Sequence, residues 1–228
     1  MPGAPAISLK RAAKLKAKKH REVERLFIAE GTASLEEAPT PPLQVFDRVE
    51  QLRRISTLQT PAGPAGVFPF LDVSAAELLS SARRIVLLHG IQDPGNVGTA
   101  IRSAHAFGAG VALSRGSADL YNPKTVRATM GSIFHTPVAR ELASVDFLAT
   151  ASNAGFSLAA AVPEAGDTPE DLPRGKLIVC IGAEGSGLPD DVLGACEVRV
   201  RIPSLASSLN ASVAASILLY EAYSRVLT

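Results

Sequence analysis

The 228-residue sequence predicts an α/β fold: a mostly parallel sheet with helices on both faces, preceded by a small α+β region. Three observations predict it. Apolar runs of strand length alternate with helix-like segments from Ile85 onward. Two of these runs, Ile85–Leu88 and Leu177–Ile181, are apolar throughout, as befits strands buried on both faces. The strand exits carry Gly, Pro, Asn and Asp, the residues of tight turns into helices.

In chain order, residues 8–25 read as one helix, which Ser8 can cap and in which Leu9, Ala12, Ala13 and the Lys16 stem recur at helical period. Leu26–Ala29 follows as a strand ending at Glu30-Gly31. Prolines at 39–42, and Pro with Gly over 60–69, favour turns and extended loops over helix interiors. A domain boundary is expected near Val73–Ser81, dividing residues 1–80 from 81–228, with a short helix over Ala75–Ser80. Beyond it the pattern gives strand 85–90, helix 97–107, strand 110–114, helix 123–131, strand 136–139 and helix 144–154. Strands 157–161, 177–181 and 197–202 follow, and a helix over 210–226 completes the pattern.

Hydrophobic residues make up 46% of the chain, enough for a sizeable core, yet no apolar run is long enough to span a bilayer. No apolar segment follows the first basic residues, so a secretory signal and a membrane partner are not expected, and a cytoplasmic location is. Cys180 and Cys196 lie outside any C-x-x-C pair, which argues against zinc and disulfide frameworks; no metal is expected. The net charge of +1 hides an asymmetry. Residues 1–30 hold eight Lys or Arg against three Glu, which leaves the rest of the chain at −4. Such a basic end suits an arm that meets a polyanion.

Three loops at strand ends carry the unusual residues. The first, Gln92–Arg102, sets Asn96 at a helix entrance, with Gly108 just past the helix end. It holds an amide and a guanidinium beside the carboxyl end of a strand, where open α/β sheets place ligands. The second, Ile181–Pro189, has Gly182, Gly185 and Gly187 within six residues, so its backbone can approach a ligand closely. That spacing is not G-x-G-x-x-G, and a nicotinamide cofactor is not supported. The third runs from Ile202 to Asn210; Ser208 and Asn210 suit a helix entry, and the small residues 211–216 allow close packing against the helix that follows.

Together, Asn96…Arg102, Gly182-x-Glu184-Gly185-x-Gly187-Leu188 and Ile202-Pro203…Ser208-Leu209-Asn210 closely resemble the three signature motifs of the SpoU/TrmH ribose methyltransferases, of the SPOUT class. The resemblance extends over about residues 83–226 and includes Ser114–Lys124 and Arg127–Gly131. Lys19–Gly31 and Ser56–Val67 resemble the ends of the accessory RNA-binding domain found in members that act on ribosomal RNA. The resemblance implies a C-terminal trefoil knot, a homodimer whose sites use both subunits, and methyl transfer from S-adenosylmethionine to a ribose 2′-hydroxyl. Ribosomal RNA is the favoured substrate over tRNA. It places Asn96, Arg102, Glu184, Ser208 and Asn210 in catalytic positions, and Gly182, Ile202 and Leu209 against the cofactor. RNA contact is expected from Lys16, Lys18, Lys19, Arg21 and Arg25.

Arg102 stays protonated and makes a poor base, so it is expected to grip a substrate phosphate and stabilise a developing oxyanion. Asn96 and Asn210 would position the hydroxyl, and Glu184 would orient either Arg102 or a ribose hydroxyl. His105 reads as an exposed helix residue and His89 as a packing residue. Lys124 and Arg127 either steer phosphate or are solvated, and Tyr121 either stacks on a base or anchors its loop. Two departures from the family stand out: the 202–210 loop is two residues short, and residues 37–55 are expected to be too few for the accessory domain's central elements, with the proline-rich piece a linker-like remnant. A tRNA-directed enzyme and a non-catalytic RNA-binding protein that retained the fold are the alternatives.

Overall fold

The computed structural model describes residues 7–61 and 63–227. The Ser8 hydroxyl accepts from Arg11 N and caps α1 (Leu9–Lys14), which is followed by α2 (Lys18–Glu24). The helix expected over 8–25 is thus broken at residues 15–17. The break is stabilised by the buried Arg21, whose Nη1 donates to the Leu15 and Lys16 carbonyls at 2.7 and 2.8 Å, filling acceptors that a helix end leaves open. Next come β1 (Leu26–Glu30), α3 (Thr32–Glu36), β2 (Gln44–Phe46), α4 (Val49–Ile55) and β3 (Ala65–Pro69). The three strands form an antiparallel sheet in the order β1-β3-β2. Residues 37–55 therefore hold both a strand and a helix, more structure than the expected shortage of central elements allows, while the proline-rich stretch 39–42 lies outside both. Leu15, Leu26, Ile28, Leu52, Ile55 and Val67 close a core of their own there.

Helix α5 (Ala75–Ser81) starts at a capping box between Ser74 and Glu77. The order then runs β4 (Arg84–His89), α6 (Pro94–Ala106), β5 (Gly110–Ser114), α7 (Pro123–Ala128), β6 (Val138–Leu142) and α8 (Ser144–Asn153). β7 (Ser157–Ala161), β8 (Leu177–Gly182), α9 (Asp190–Ala195), β9 (Val198–Val200) and α10 (Ala211–Leu227) follow. Six strands pair in the order β6-β5-β4-β8-β7-β9, and every pairing is parallel.

Alternate residues of the central strands feed two cores. Val86, Leu88, Val179 and Ile181 pack with α6, α7 and α10, whereas Ile85, Leu87, Ile178 and Cys180 pack with α5, α8 and α9. That double burial is why β4 and β8 are apolar throughout. Because Leu78 and Leu79 belong to the second of these cores, α5 packs with the parallel sheet. No helix among the described residues is long and apolar enough to cross a membrane.

The two sheets are locked together. Phe27 and Phe68 enter the core of the parallel sheet, and Phe70 stacks on Tyr121 with centroids 3.8 Å apart. The buried Tyr121 hydroxyl accepts from the backbone N–H groups of Leu71 and Asp72 and donates to Asp72 Oδ1 at 2.7 Å. Tyr121 is accordingly a loop anchor, and burial followed by the bond to Asp72 pushes its phenol well above the usual range. Arg140 bridges Glu22 and Asp72 across the same junction.

Candidate active site at the carboxyl ends of the strands

α6 begins at Pro94 with Asp93 at its N-cap, so Asn96 sits inside the first turn rather than at the expected cap. Its far end is as expected: Gly108 takes a φ of +60°, and Ala109 N returns to Ala104 O at 2.8 Å. β8 leads directly into the loop 183–187, which folds back so that Gly187 N donates to Ala183 O at 2.8 Å. This turn presses on Gly182, where an added Cβ would lie 2.2 Å from the Gly187 carbonyl carbon. Asn210 precedes α10 and caps it, its Oδ1 accepting from Ser212 N at 2.9 Å and from Val213 N at 3.3 Å.

The three loops meet at Glu184. Glu184 Oε1 accepts from Asn96 Nδ2 at 2.5 Å and from Asn210 Nδ2 at 2.9 Å, while Asn210 Nδ2 also reaches Asn96 Oδ1 at 3.0 Å. Ser212 Oγ braces the group from Asn210 Oδ1, at 2.7 Å, a serine that sequence reasoning did not single out. Its place two residues after Asn210, within reach of a capping amide, is the signal that could have found it.

Beside this cluster lies a cavity of about 440 Å³. Gly182, Ile202 and Leu209 line it, with Glu184 and Ser208, so five of the predicted site residues share one cavity. Ile181, Leu188 and Val200 add apolar surface, and the short 202–210 loop still forms a wall through Ser204 and Ala206–Leu209. A largely apolar slot of this kind, whose wall rests on the close packing of Gly182 against the 183–187 turn, fits the adenosine of S-adenosylmethionine.

Arg102 stands apart. It is exposed on α6 and, among the described residues, has no side-chain hydrogen-bond partner. An offset of six positions along the helix separates it from Asn96 by ~9 Å along the axis and ~120° around it, so the two do not share a face.

The basic arm divides. Lys16, Lys18 and Lys19 are exposed, whereas Arg21 is 3% exposed and its Nη2 meets Asp119 at 2.5 Å. Arg21 is therefore corrected from an RNA-facing residue to a buried structural one. Arg25 lies over the Phe70 ring. Exposed Arg48, Arg53 and Arg54, at and on α4, add positive charge that the basic N-terminal run alone does not reveal. Lys124 pairs with Asp93 at 2.6 Å, and that hydrogen bond holds the Asp93 carboxyl below its ordinary range. Arg127 reaches Thr57 Oγ1 at 3.0 Å. His105 stacks on His135, and His89 Nδ1 lies 2.8 Å from Ser144 Oγ. Among the described residues no group of three or more His, Cys, Asp or Glu could hold a metal ion.

Residues 83–220 match the SpoU rRNA Methylase family. The chain is 30% identical to the 23S rRNA (guanosine(2553)-2′-O)-methyltransferase RlmP of Bacillus subtilis, over 91% of this chain and 92% of that protein. The crystal structure of an AdoMet-bound rRNA methyltransferase from Sinorhizobium meliloti is similar with a TM-score of 0.86 and 27% identity. The likeness covers 96% of this chain and 95% of that one. A structure described as giving insight into 2-OH methylation of C/U34 on tRNA is similar over 63% of this chain and 96% of its own, with a TM-score of 0.58 and 27% identity.

Proposed function

The chain belongs to the SpoU rRNA methylase family, and from that premise we propose that it methylates a ribose 2′-hydroxyl in ribosomal RNA. The observation that carries this reading is the hydrogen-bonded meeting of Asn96, Glu184 and Asn210 at the edge of the cavity that fits the cofactor. Ribosomal RNA is favoured because likenesses that span the chain, N-terminal sheet included, include rRNA methyltransferases. The tRNA-related structure matches 63% of this chain.

Gly182, Ile202 and Leu209 hold S-adenosylmethionine, which when bound supplies an electrophilic methyl group. The chain's own task is to present the hydroxyl oxygen. Glu184 Oε1 is occupied by two amides, whereas Oε2 has no hydrogen-bond partner among the described residues. Oε2 accepts the hydrogen bond of the 2′-hydroxyl, fixes the direction of its lone pairs and receives its proton as the oxygen–methyl bond forms and the methyl–sulfur bond breaks. Asn96 and Asn210 hold that carboxylate still, and positioning of this kind contributes on the order of 7–11 kcal/mol to such reactions.

Arg102 acts across a homodimer. Val213, Ile217 and Tyr220 form an exposed apolar strip on α10, which packs along α6. A second copy seated on this strip brings its Arg102 to the other subunit's substrate phosphate, which accounts for the distance between Arg102 and Asn96 within one chain. Lys16, Lys18 and Lys19, with Arg48, Arg53 and Arg54, hold the RNA backbone. Mapping of ribose methylation in ribosomal RNA and tRNA from a strain lacking the gene tests the proposal. One 2′-O-methyl mark missing from ribosomal RNA is expected; an unchanged set of marks contradicts it.

A further inference from the structure

A second cleft, of about 510 Å³, opens between the loop leaving β4 and the loop leaving β8. These strands are neighbours, with His89 opposite Gly182. The chain departs from β4 toward β5 on one side and from β8 toward β9 on the other. Open α/β sheets form their ligand crevice at such a switch point.

We propose that this cleft receives the nucleobase of the nucleotide being methylated, with Gln92 and His89 reading its edge. The assignment rests on the methyl-transfer reading above. Three observations argue for it. First, the segment Ala183–Gly187 lines both cavities, and Glu184 with its amide partners stands at that shared wall. A ribose held at Glu184 with the cofactor on one side has the second cleft open to its base on the other.

Second, the cleft's charge selects a base over a phosphate. Among the described residues no Lys or Arg lines it; of its two carboxylates Asp93 is paired with Lys124, and Glu184 carries an unpaired negative charge at the shared wall. A phosphate would be repelled; a neutral heterocycle would not. Its volume lies within the ~300–1,000 Å³ of small-molecule sites.

Third, the polar groups match a base edge. Gln92 is exposed, with no side-chain hydrogen bond among the described residues, and its amide offers donor and acceptor side by side. His89 is oriented by Ser144 Oγ at Nδ1, so Nε2 is its remaining polar ring atom. The loop is fixed where it leaves β4, since Gly90 N donates to Ser114 Oγ at 2.9 Å. Such a cleft requires the target nucleotide to be unpaired, because a paired base hides its Watson–Crick edge.

The test titrates adenosine, guanosine, cytidine and uridine separately into the full chain saturated with S-adenosylhomocysteine, which blocks the first cavity. One nucleoside is expected to bind best. Gln92→Ala and His89→Gln should each weaken it at least fivefold, with S-adenosylhomocysteine affinity unchanged within twofold. Gln92→Ala should also raise KM for ribosomal RNA several-fold while kcat stays within twofold. If no nucleoside binds, or if both variants bind it as the wild type does, the cleft assignment is overturned even where ribosomal RNA is still methylated. If the wild type methylates no ribose, the functional reading falls and takes the assignment with it.

Discussion

Asn210 Nδ2 donates to Asn96 Oδ1 at 3.0 Å across 114 residues of sequence, joining the first turn of α6 to the residue that opens α10. Both amides also donate to Glu184 Oε1, so the carboxylate is held by groups from two helices. Asn96→Asp replaces a donor with a second carboxylate at 2.5 Å from the first. Turnover should fall by about 100-fold, the scale seen when one positioned donor is lost, with cofactor affinity within a few-fold. Single-turnover methylation and calorimetry check the two halves separately.

Gly182→Ala should weaken cofactor binding at least tenfold. The new Cβ would meet Gly187 and Leu188 backbone atoms at 2.2–2.4 Å, so the 183–187 turn must move away from the cavity wall it forms. Overpacking of this kind destabilises by about 1–3 kcal/mol, which a folded variant can survive. Calorimetry with S-adenosylmethionine should show at least a tenfold weaker complex while circular dichroism stays native.

Tyr121→Phe isolates the joint between the two sheets. It removes a hydroxyl that serves Leu71 N, Asp72 N and Asp72 Oδ1, leaving buried groups without their partner. A loss of about 1–3 kcal/mol is expected, read as a lower Tm in thermal unfolding.

Lys18→Ala with Lys19→Ala should weaken RNA binding and lower the salt slope by about one to two units, one for each phosphate that a lysine no longer neutralises. Point substitutions are needed because the arm is structural as well as basic: Ala12, Leu15 and Arg21 are buried. Filter binding over a salt series measures the slope, and cofactor affinity should not change.

Much of this architecture is legible in the sequence because burial writes itself into composition. Apolar runs at Ile85–Leu88 and Leu177–Ile181 announce strands covered on both faces, and both are central in the sheet. The three strand-end loops are likewise visible as clusters of Gly, Asn and Ser. What pattern reading missed depends on contacts between distant residues. The 8–25 helix breaks because Arg21 folds back on Leu15 and pairs with Asp119, 98 residues away. Cys180 and Cys196, isolated in sequence, bring their sulfurs to 3.7 Å because β8 and the end of α9 share one core. The hydrogen bond between them, and then burial, raises the Cys180 thiol, while that same bond lowers Cys196.

The most direct test incubates the full chain with methyl-labelled S-adenosylmethionine and ribosomal RNA from a strain lacking the gene, then digests the RNA to nucleosides. Label is expected in one 2′-O-methylnucleoside, and should be lost in Asn210→Ala, which removes the amide bridging Asn96 and Glu184. Label on a base, or equal labelling by Asn210→Ala, would contradict ribose methylation through the Asn96–Glu184–Asn210 cluster.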